Sequence, residues 1–247
     1  MLDISGDPYR HLAAVYDALG FSEPGLLCLQ TVLANLSASP RGKIALDVGC
    51  GTGKVAIALA KAGWKVTGLD LSPAMVSMAR LNAMEAQAEV DFVRGDLLAL
   101  TGDSTVHLIT AFSVLAYLRN ADELNGTLRA LATRLKSNGI LAFNLPTPQQ
   151  LQATPKSEAR IAGNLYFLQT AQWNTESAVL VRRLVWFRSK TGSYDKQESL
   201  LTERGVAREE IQSMITHASL KAITIAEFGS NVLFVCRRTR TPDEIRF

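Results

Sequence analysis

Three glycines fall within seven residues, Asp47-Val48-Gly49-Cys50-Gly51-Thr52-Gly53, between an apolar run and an amphipathic one. Glycine lets a backbone turn sharply and lets a ligand approach it closely. A strand that ends in such a turn and opens a helix presents free N–H groups to a polar or anionic ligand. The spacing narrows the ligand. Dinucleotide-binding loops read G-x-G-x-x-G around a pyrophosphate, whereas these glycines read G-x-G-x-G, and Lys54 stands where a third dinucleotide glycine belongs. A Walker-type phosphate loop is excluded because no Gly-Lys-Ser/Thr follows.

Two further carboxylates sit where such a site needs them. Asp70 lies about 20 residues past the loop, at the distance where nucleotide-binding folds place the acid that receives ribose hydroxyls. One carboxylate can accept both hydrogen bonds of a cis-diol. Asp70 is also placed to cap the helix that starts near Ser72. Asp96, in Arg94-Gly95-Asp96-Leu97, follows the next strand, where a carboxylate or the nearby backbone can receive an adenine amino group. A Gly-Asp pair equally suits a plain turn.

These residues need a scaffold that brings strand ends together. The pattern alternates. Strands are predicted at Lys43–Val48, Lys65–Leu69, Val90–Val93, Val106–Phe112 and Ile140–Leu145. Helices are predicted at Lys54–Ala62, from Ser72-Pro73 to about Gln87, and at Ala121–Leu135, the last stopped by Asn138-Gly139. Strand–helix alternation indicates right-handed crossovers and a buried parallel sheet. Ligands bind such sheets at the carboxyl ends of the strands. Near the end of the chain, Leu220–Glu227 and Val232–Cys236 read as strands joined only through Phe228–Asn231. A parallel pair needs a crossover of about a dozen residues, so this link forces a hairpin. The expected fold is therefore α/β: seven strands, mostly parallel, with an antiparallel last strand. Helices are expected at residues 8–20 and 24–36, and a polar connection over 146–163. Two or three antiparallel strands are expected within 164–202, and a helix near Arg208 carrying Ile211, Met214 and Ile215. The domain reading is a helical cap over 1–40, a ligand-binding domain over 41–145 and 206–240, and a β insertion over 146–205.

Taken together, Leu46–Gly53, then Gly68-Leu69-Asp70-Leu71-Ser72-Pro73-Ala74-Met75, then Gly95-Asp96-Leu97 resemble the class I S-adenosylmethionine-dependent methyltransferases, with a Rossmann-like sheet. The match covers roughly Ile44 to Leu145, and the closing hairpin agrees with that family's sheet. The resemblance implies S-adenosyl-L-methionine as cofactor. Gly49, Gly51 and Gly53, with Cys50 among them, would pass beneath its methionyl part, and Asp47 would support the loop and the amino group. Asp70 would hold the ribose, with Leu71 and Met75 near the adenine and Asp96 and Leu97 at its edge. Phe112 and Ser113 would approach the methionyl group. More loosely, Tyr16-Asp17 and the segment from Leu165 to Arg238 are similar to small-molecule methyltransferases of this class, in which an antiparallel insertion after the fifth strand covers the pocket. His107 stands where many relatives carry an acid.

Composition sets the outer limits. Of 247 residues, 47% are hydrophobic and 20% charged, enough apolar content for a sizeable core. A net charge of +3 without a Lys/Arg-rich run does not suggest nucleic acid as a partner. No apolar run approaches the ~20 residues of a membrane helix. Cys28, Cys50 and Cys236 are widely separated, and His11, His107 and His217 have no metal-ligand spacing, so a reducing cytoplasm and no metal are expected. Tyr16, Tyr117 and Trp173 are candidates for an aromatic wall around the methyl acceptor. No Ser/His/Asp set and no paired carboxylates are present, so no catalytic residue is assigned. The expected reaction is transfer to an O, N or C nucleophile of a small molecule. A protein or RNA methyltransferase, and a cofactor-binding protein without transferase activity, remain alternatives. Oligomeric state is not legible.

Overall fold

A computed structural model describes residues 7–36, 42–100 and 105–239. The limits expected for the N-terminal cap and for the closing boundary at 240 lie outside them. Residues 8–22 form a run of turns rather than the expected helix. The run mixes helical-type bonds, such as Ala13 N–H to the Tyr9 carbonyl, with tighter ones, such as Val15 N–H to the Leu12 carbonyl. The chain then bends at Gly20, where φ is +76°. Helix α1 (Glu23–Ala34) follows, with proline in its first turn.

The alternation comes next: β1 (Ile44–Val48), α2 (Lys54–Lys61), β2 (Lys65–Asp70), α3 (Pro73–Ala86), β3 (Val90–Arg94), β4 (Val106–Ala111), α4 (Ala121–Thr133) and β5 (Leu135–Leu145). The caps explain the helix starts. Ser72 Oγ accepts the Met75 N–H at 3.2 Å, with Pro73 in the first turn of α3. Asn120 Oδ1 accepts the Glu123 N–H at 2.9 Å at the head of α4. Each replaces a donor that a helix start otherwise leaves orphaned. Helix α4 ends at Thr133, earlier than its leucine spacing predicts, and Leu135 is the first residue of β5. Leu135 pairs with Val106, after which the register slips so that Leu108 faces Ile140. Asn138-Gly139 thus lies inside the strand rather than ending the helix. Asn138 takes φ +63°, and the surplus residues bulge out of the ladder.

The connection after Pro146 holds more structure than its polarity suggests. It contains the short helix α5 (Pro148–Gln152) and β6 (Ser157–Ala162), followed by β7 (Leu165–Asn174), β8 (Val179–Lys190) and β9 (Ser193–Arg204). These four strands make a separate antiparallel sheet in the order β6-β7-β8-β9. The chain returns through α6 (Arg208–His217), β10 (Leu220–Phe228) and β11 (Asn231–Arg238). The main sheet has seven strands, ordered β10-β11-β5-β4-β1-β2-β3. Strand β11 is antiparallel to both neighbours, and the other pairs are parallel.

The three largest apolar clusters follow from this. One face of the main sheet packs on α1, α2 and α3 through Leu29, Ile57, Leu59, Val76 and Phe92. The other packs on α4 and α6 through Leu128, Leu131, Ile211 and Phe143. Fully burying each such side chain contributes about 1.5–3 kcal/mol. The third cluster joins Leu12, Val15 and Leu19 of the N-terminal turns to Leu165, Phe167, Leu184, Trp186 and Leu201 of the smaller sheet. The N-terminal turns and the smaller sheet therefore share one core, separate from those of the main sheet. Among the described residues, no helix is long and apolar enough to cross a membrane.

Candidate cofactor and acceptor site

A cavity of about 640 Å³ opens at the carboxyl ends of β1 to β4. That volume falls within the ~300–1,000 Å³ range of small-molecule pockets. Its floor includes Gly49, Gly51, Asp70, Leu71, Met75, Asp96, Leu97, Phe112 and Ser113. Nine sequence candidates thus line one cavity.

The glycine loop is held from below. Cys50 N–H donates to the Leu69 carbonyl, and Gly53 N–H to the Cys50 carbonyl. The Asp70 carboxylate accepts Gly51 N–H at 2.8 Å and Ser72 N–H at 2.9 Å, so it fastens both the loop and the cap of α3. Burial raises the Asp70 pKa above the ordinary aspartate value, against the lowering effect of these two N–H groups. Asp96 closes a turn by accepting Leu98 N–H at 2.8 Å while its residue faces the cavity.

Three candidates act from beneath the cavity rather than on its wall. Gly53 has φ +81°, and a Cβ there would stand 2.7 Å from the Phe92 ring, so this glycine serves helix–strand packing. Cys50 is buried beside Gly68, and burial raises its thiol pKa. Asp47 is 2% exposed. Thr110 Oγ1 donates to its Oδ1 at 2.6 Å, and among the described residues its Oδ2 has no hydrogen-bond partner. Burial pushes Asp47 up to about 7.

The sign of its effect on stability follows. The unfolded chain releases this proton near pH 4, while the folded protein keeps it to about pH 7. The contribution of Asp47 to stability is therefore full below pH 4, falls as pH rises, and is lost above about 7. Asp47→Asn is expected to flatten that dependence in the ligand-free protein. Urea midpoints at pH 5 and pH 8 should differ less in the variant than in the wild type; equal differences would exclude Asp47 as the titrating group.

The wall after β4 depends on a residue that sequence reading missed. Asn144, 1% exposed on β5, accepts the Ser113 N–H on its Oδ1 at 2.6 Å. Ser113 is in the left-handed region at φ +53°. The next residue, Val114, packs directly against Gly49, where an added Cβ would meet it at 2.5 Å. Asn144→Ala is expected to cost about 1–3 kcal/mol in chemical denaturation, because it orphans a partly buried N–H. An unchanged midpoint would show that Ser113 keeps its conformation unaided.

The roof comes from the third core. Tyr9 and Tyr16 of the N-terminal turns, Tyr117, and Leu200–Thr202 of β9 line this side. Tyr9 meets Tyr16 and Tyr117 edge-on at ring separations of 6.4 and 6.3 Å. Burial raises all three phenol pKa values, so the hydroxyls are neutral. Tyr9 could have been found by extending the spacing of Leu12, Tyr16 and Leu19 back by one turn. Trp173 does not join this wall. It shares the inward face of β7 with Leu165 and Phe167, but it lies at the other end of the strand, against Leu151, Ala171 and Leu180. At the mouth, Arg119 Nε donates to Glu123 at 2.6 Å. His107 is remote from the site and accepts the Ile44 N–H at 3.1 Å.

The carboxylate acceptors suit S-adenosylmethionine, whose ribose hydroxyls, adenine amino group and ammonium are all donors. Asp70 and Asp96 line the cavity at strand ends, and Asp47, buried just before the loop, has an Oδ2 without a hydrogen-bond partner among the described residues. The geometry defines an α/β protein with a small-molecule cavity lined on one side by the glycine loop and on another by tyrosines. A family model described as a methyltransferase domain matches residues 45–139. A methyltransferase of Geobacillus sp. (strain WCH70) is 38% identical over 206 residues, covering 78% of this chain and 83% of that one. An S-adenosylmethionine-dependent methyltransferase from Clostridium acetobutylicum superposes with a TM-score of 0.78 at 18% identity, over 95% of this chain and 100% of that one. A Micromonospora echinaspora amino pentose methyltransferase, solved with S-adenosylmethionine bound, superposes at 0.71 and 20% identity, over 97% of this chain and 100% of that one. The chain belongs to the S-adenosylmethionine-dependent methyltransferases.

Proposed function

We propose that this enzyme methylates an O, N or C nucleophile of a small molecule held beneath the tyrosine roof. The observation that carries the reading is that Tyr9, Tyr16, Tyr117 and β9 line the same cavity as the glycine loop. A cavity of about 640 Å³ leaves room for a compact acceptor beside the cofactor, not for a folded macromolecule. The likeness to the amino pentose methyltransferase extends over 97% of the chain and so takes in the smaller sheet, which supports the same reading.

Bound S-adenosylmethionine supplies an activated methyl group for direct displacement, so the protein's task is alignment and exclusion of water. In the proposed arrangement Gly49 and Gly51 lie under the methionyl part and Asp47 supports the loop. Asp70 takes the ribose, Leu71, Met75, Asp96 and Leu97 surround the adenine, and Phe112 and Ser113 border the methionyl group. Tyr16 and Tyr117, joined by Tyr9, face the acceptor. The neutral phenols can donate or accept hydrogen bonds without acting as strong bases.

The domain division expected from sequence is retained as part of the proposal: a cap over 1–40, a cofactor domain over 41–145 and 206–240, and a lid over 146–205. The three cysteines are free and buried, which suits a reducing cytoplasm. A screen of amino sugars, phenols and small amines with a radiolabelled methyl donor tests the acceptor class. Label is expected in the small-molecule fraction; label found only in added protein or RNA would overturn the proposal.

A further inference from the structure

The segment over residues 8–22 supplies two tyrosines to the roof, yet its apolar side belongs to the smaller sheet. Besides the ring contact of Tyr9 with Tyr117, it has two polar ties to the cofactor side. One is Ser72 Oγ donating to the Asp7 carboxylate. The other is a node centred on Asp17. Thr52 Oγ1 donates to Asp17 Oδ1 at 2.6 Å, and Asn82 Nδ2 donates to Asp17 Oδ2 at 3.1 Å. Lys54 Nζ lies 3.4 Å from the same Oδ2. Asn82 also donates to the Thr52 carbonyl at 2.8 Å.

The donors come from informative places. Thr52, 2% exposed, stands between the last two glycines of the cofactor loop. Lys54 opens α2, and Asn82 lies on α3. One carboxylate thus gathers the loop, the helix it opens and the helix beyond. Its chain neighbour, Tyr16, lines the cavity.

We propose that Asp17 is a positioning residue that locks the tyrosine roof to the cofactor loop and thereby retains bound S-adenosylmethionine. Asp17 does not line the cavity, and its carboxylate meets the loop through Thr52. Its effect passes by two routes. Thr52 fixes the conformation of the peptide units on either side, including Gly51, which faces the ligand. Tyr16 is held over the cavity because the next residue is anchored. Cofactor release then requires the Asp17 node to open, so the node governs dissociation more than encounter. This goes beyond the assignment of an acceptor, and it holds whichever acceptor is used.

The test uses the full-length protein. Asp17→Asn keeps the shape but replaces one acceptor oxygen with a donor that opposes Asn82 and Lys54. Calorimetry with S-adenosylhomocysteine should show affinity lowered by about tenfold, the scale of one charge-assisted hydrogen bond. Stopped-flow displacement should place most of that change in the dissociation rate. Thr52→Val should act in the same direction, and the double variant should be no worse than the more severe single one, since both open one node. A residue that merely supported the fold would lower the unfolding temperature without this ligand-specific, non-additive pattern.

In the ligand-free protein, hydrogen exchange should rise at the amides of residues 12–20 in Asp17→Asn. That arm separates this proposal from the cofactor assignment: wild-type protein that fails to bind S-adenosylhomocysteine contradicts the assignment, whereas exchange is read without ligand. Unchanged exchange in residues 12–20, or unchanged dissociation in a variant whose wild type binds, overturns the role given to Asp17.

Discussion

Asp70→Ala is expected to weaken binding of S-adenosylhomocysteine by about 1.5–3 kcal/mol, the scale of losing hydrogen bonds to a charged acceptor. In affinity that is about 10- to 150-fold. Two losses converge on one residue. The variant removes the carboxylate proposed to receive the ribose, and it releases the Gly51 and Ser72 N–H groups that Asp70 holds at 2.8 and 2.9 Å. Asp70→Asn separates them, because the amide oxygen can retain one N–H contact but the amide nitrogen cannot accept the other. It should therefore fall between wild type and alanine. Calorimetry decides the matter: unchanged affinity in Asp70→Ala would remove this residue from the cofactor site.

Gly49→Ala is the second large effect, and it is steric. The added Cβ would stand 2.5 Å from both Cβ and Cγ2 of Val114, and the backbone is at φ +66°. Overpacking of this kind costs about 1–3 kcal/mol, and a left-handed non-glycine residue adds about 1–2 kcal/mol. Val114 has little freedom to retreat, since Ser113 before it is already tied to Asn144 at φ +53°. A stability loss of about 2–5 kcal/mol is expected in denaturant unfolding, with weakened cofactor binding in whatever remains folded. The double variant Gly49→Ala/Val114→Ala should recover the steric part and leave the conformational part. No recovery would mean that the contact between these two residues does not set the cost.

The sequence carried the main sheet well because its signals are local and redundant. The glycine loop, the Ser72-Pro73 cap and the short link before β11 each specify geometry within a few residues, and all three point to the same topology. Signals that depend on partners far along the chain were weaker. The leucine period of α4 runs on into Leu135, and only the pairing of Leu135 with Val106 makes that residue a strand. The spacing of Leu12, Tyr16 and Leu19 reads as a helix, yet those residues pack on a separate sheet and take a mixed run of turns. In the site, the floor residues were legible from strand ends. Asn144 and Asp7 were not, because nothing near them in the chain marks their contacts with Ser113 and Ser72. Trp173 was misplaced for a related reason: alternation gives the face a residue occupies but not its distance along the strand from the cavity.

The shared core of the N-terminal turns and the smaller sheet has a consequence for how the chain is made. Ser199 donates to the Pro8 carbonyl across 191 positions, and Arg160 donates to the Leu19 carbonyl across 141. Synthesis runs from N- to C-terminus, so Leu12, Val15 and Leu19 leave the ribosome well before their partners on β7, β8 and β9. The strands bearing the glycine loop and Asp70 emerge long before that. The strand ends that form the cavity floor are thus made early and the roof late, and a nascent chain halted before β7 exposes an apolar segment whose partners do not yet exist.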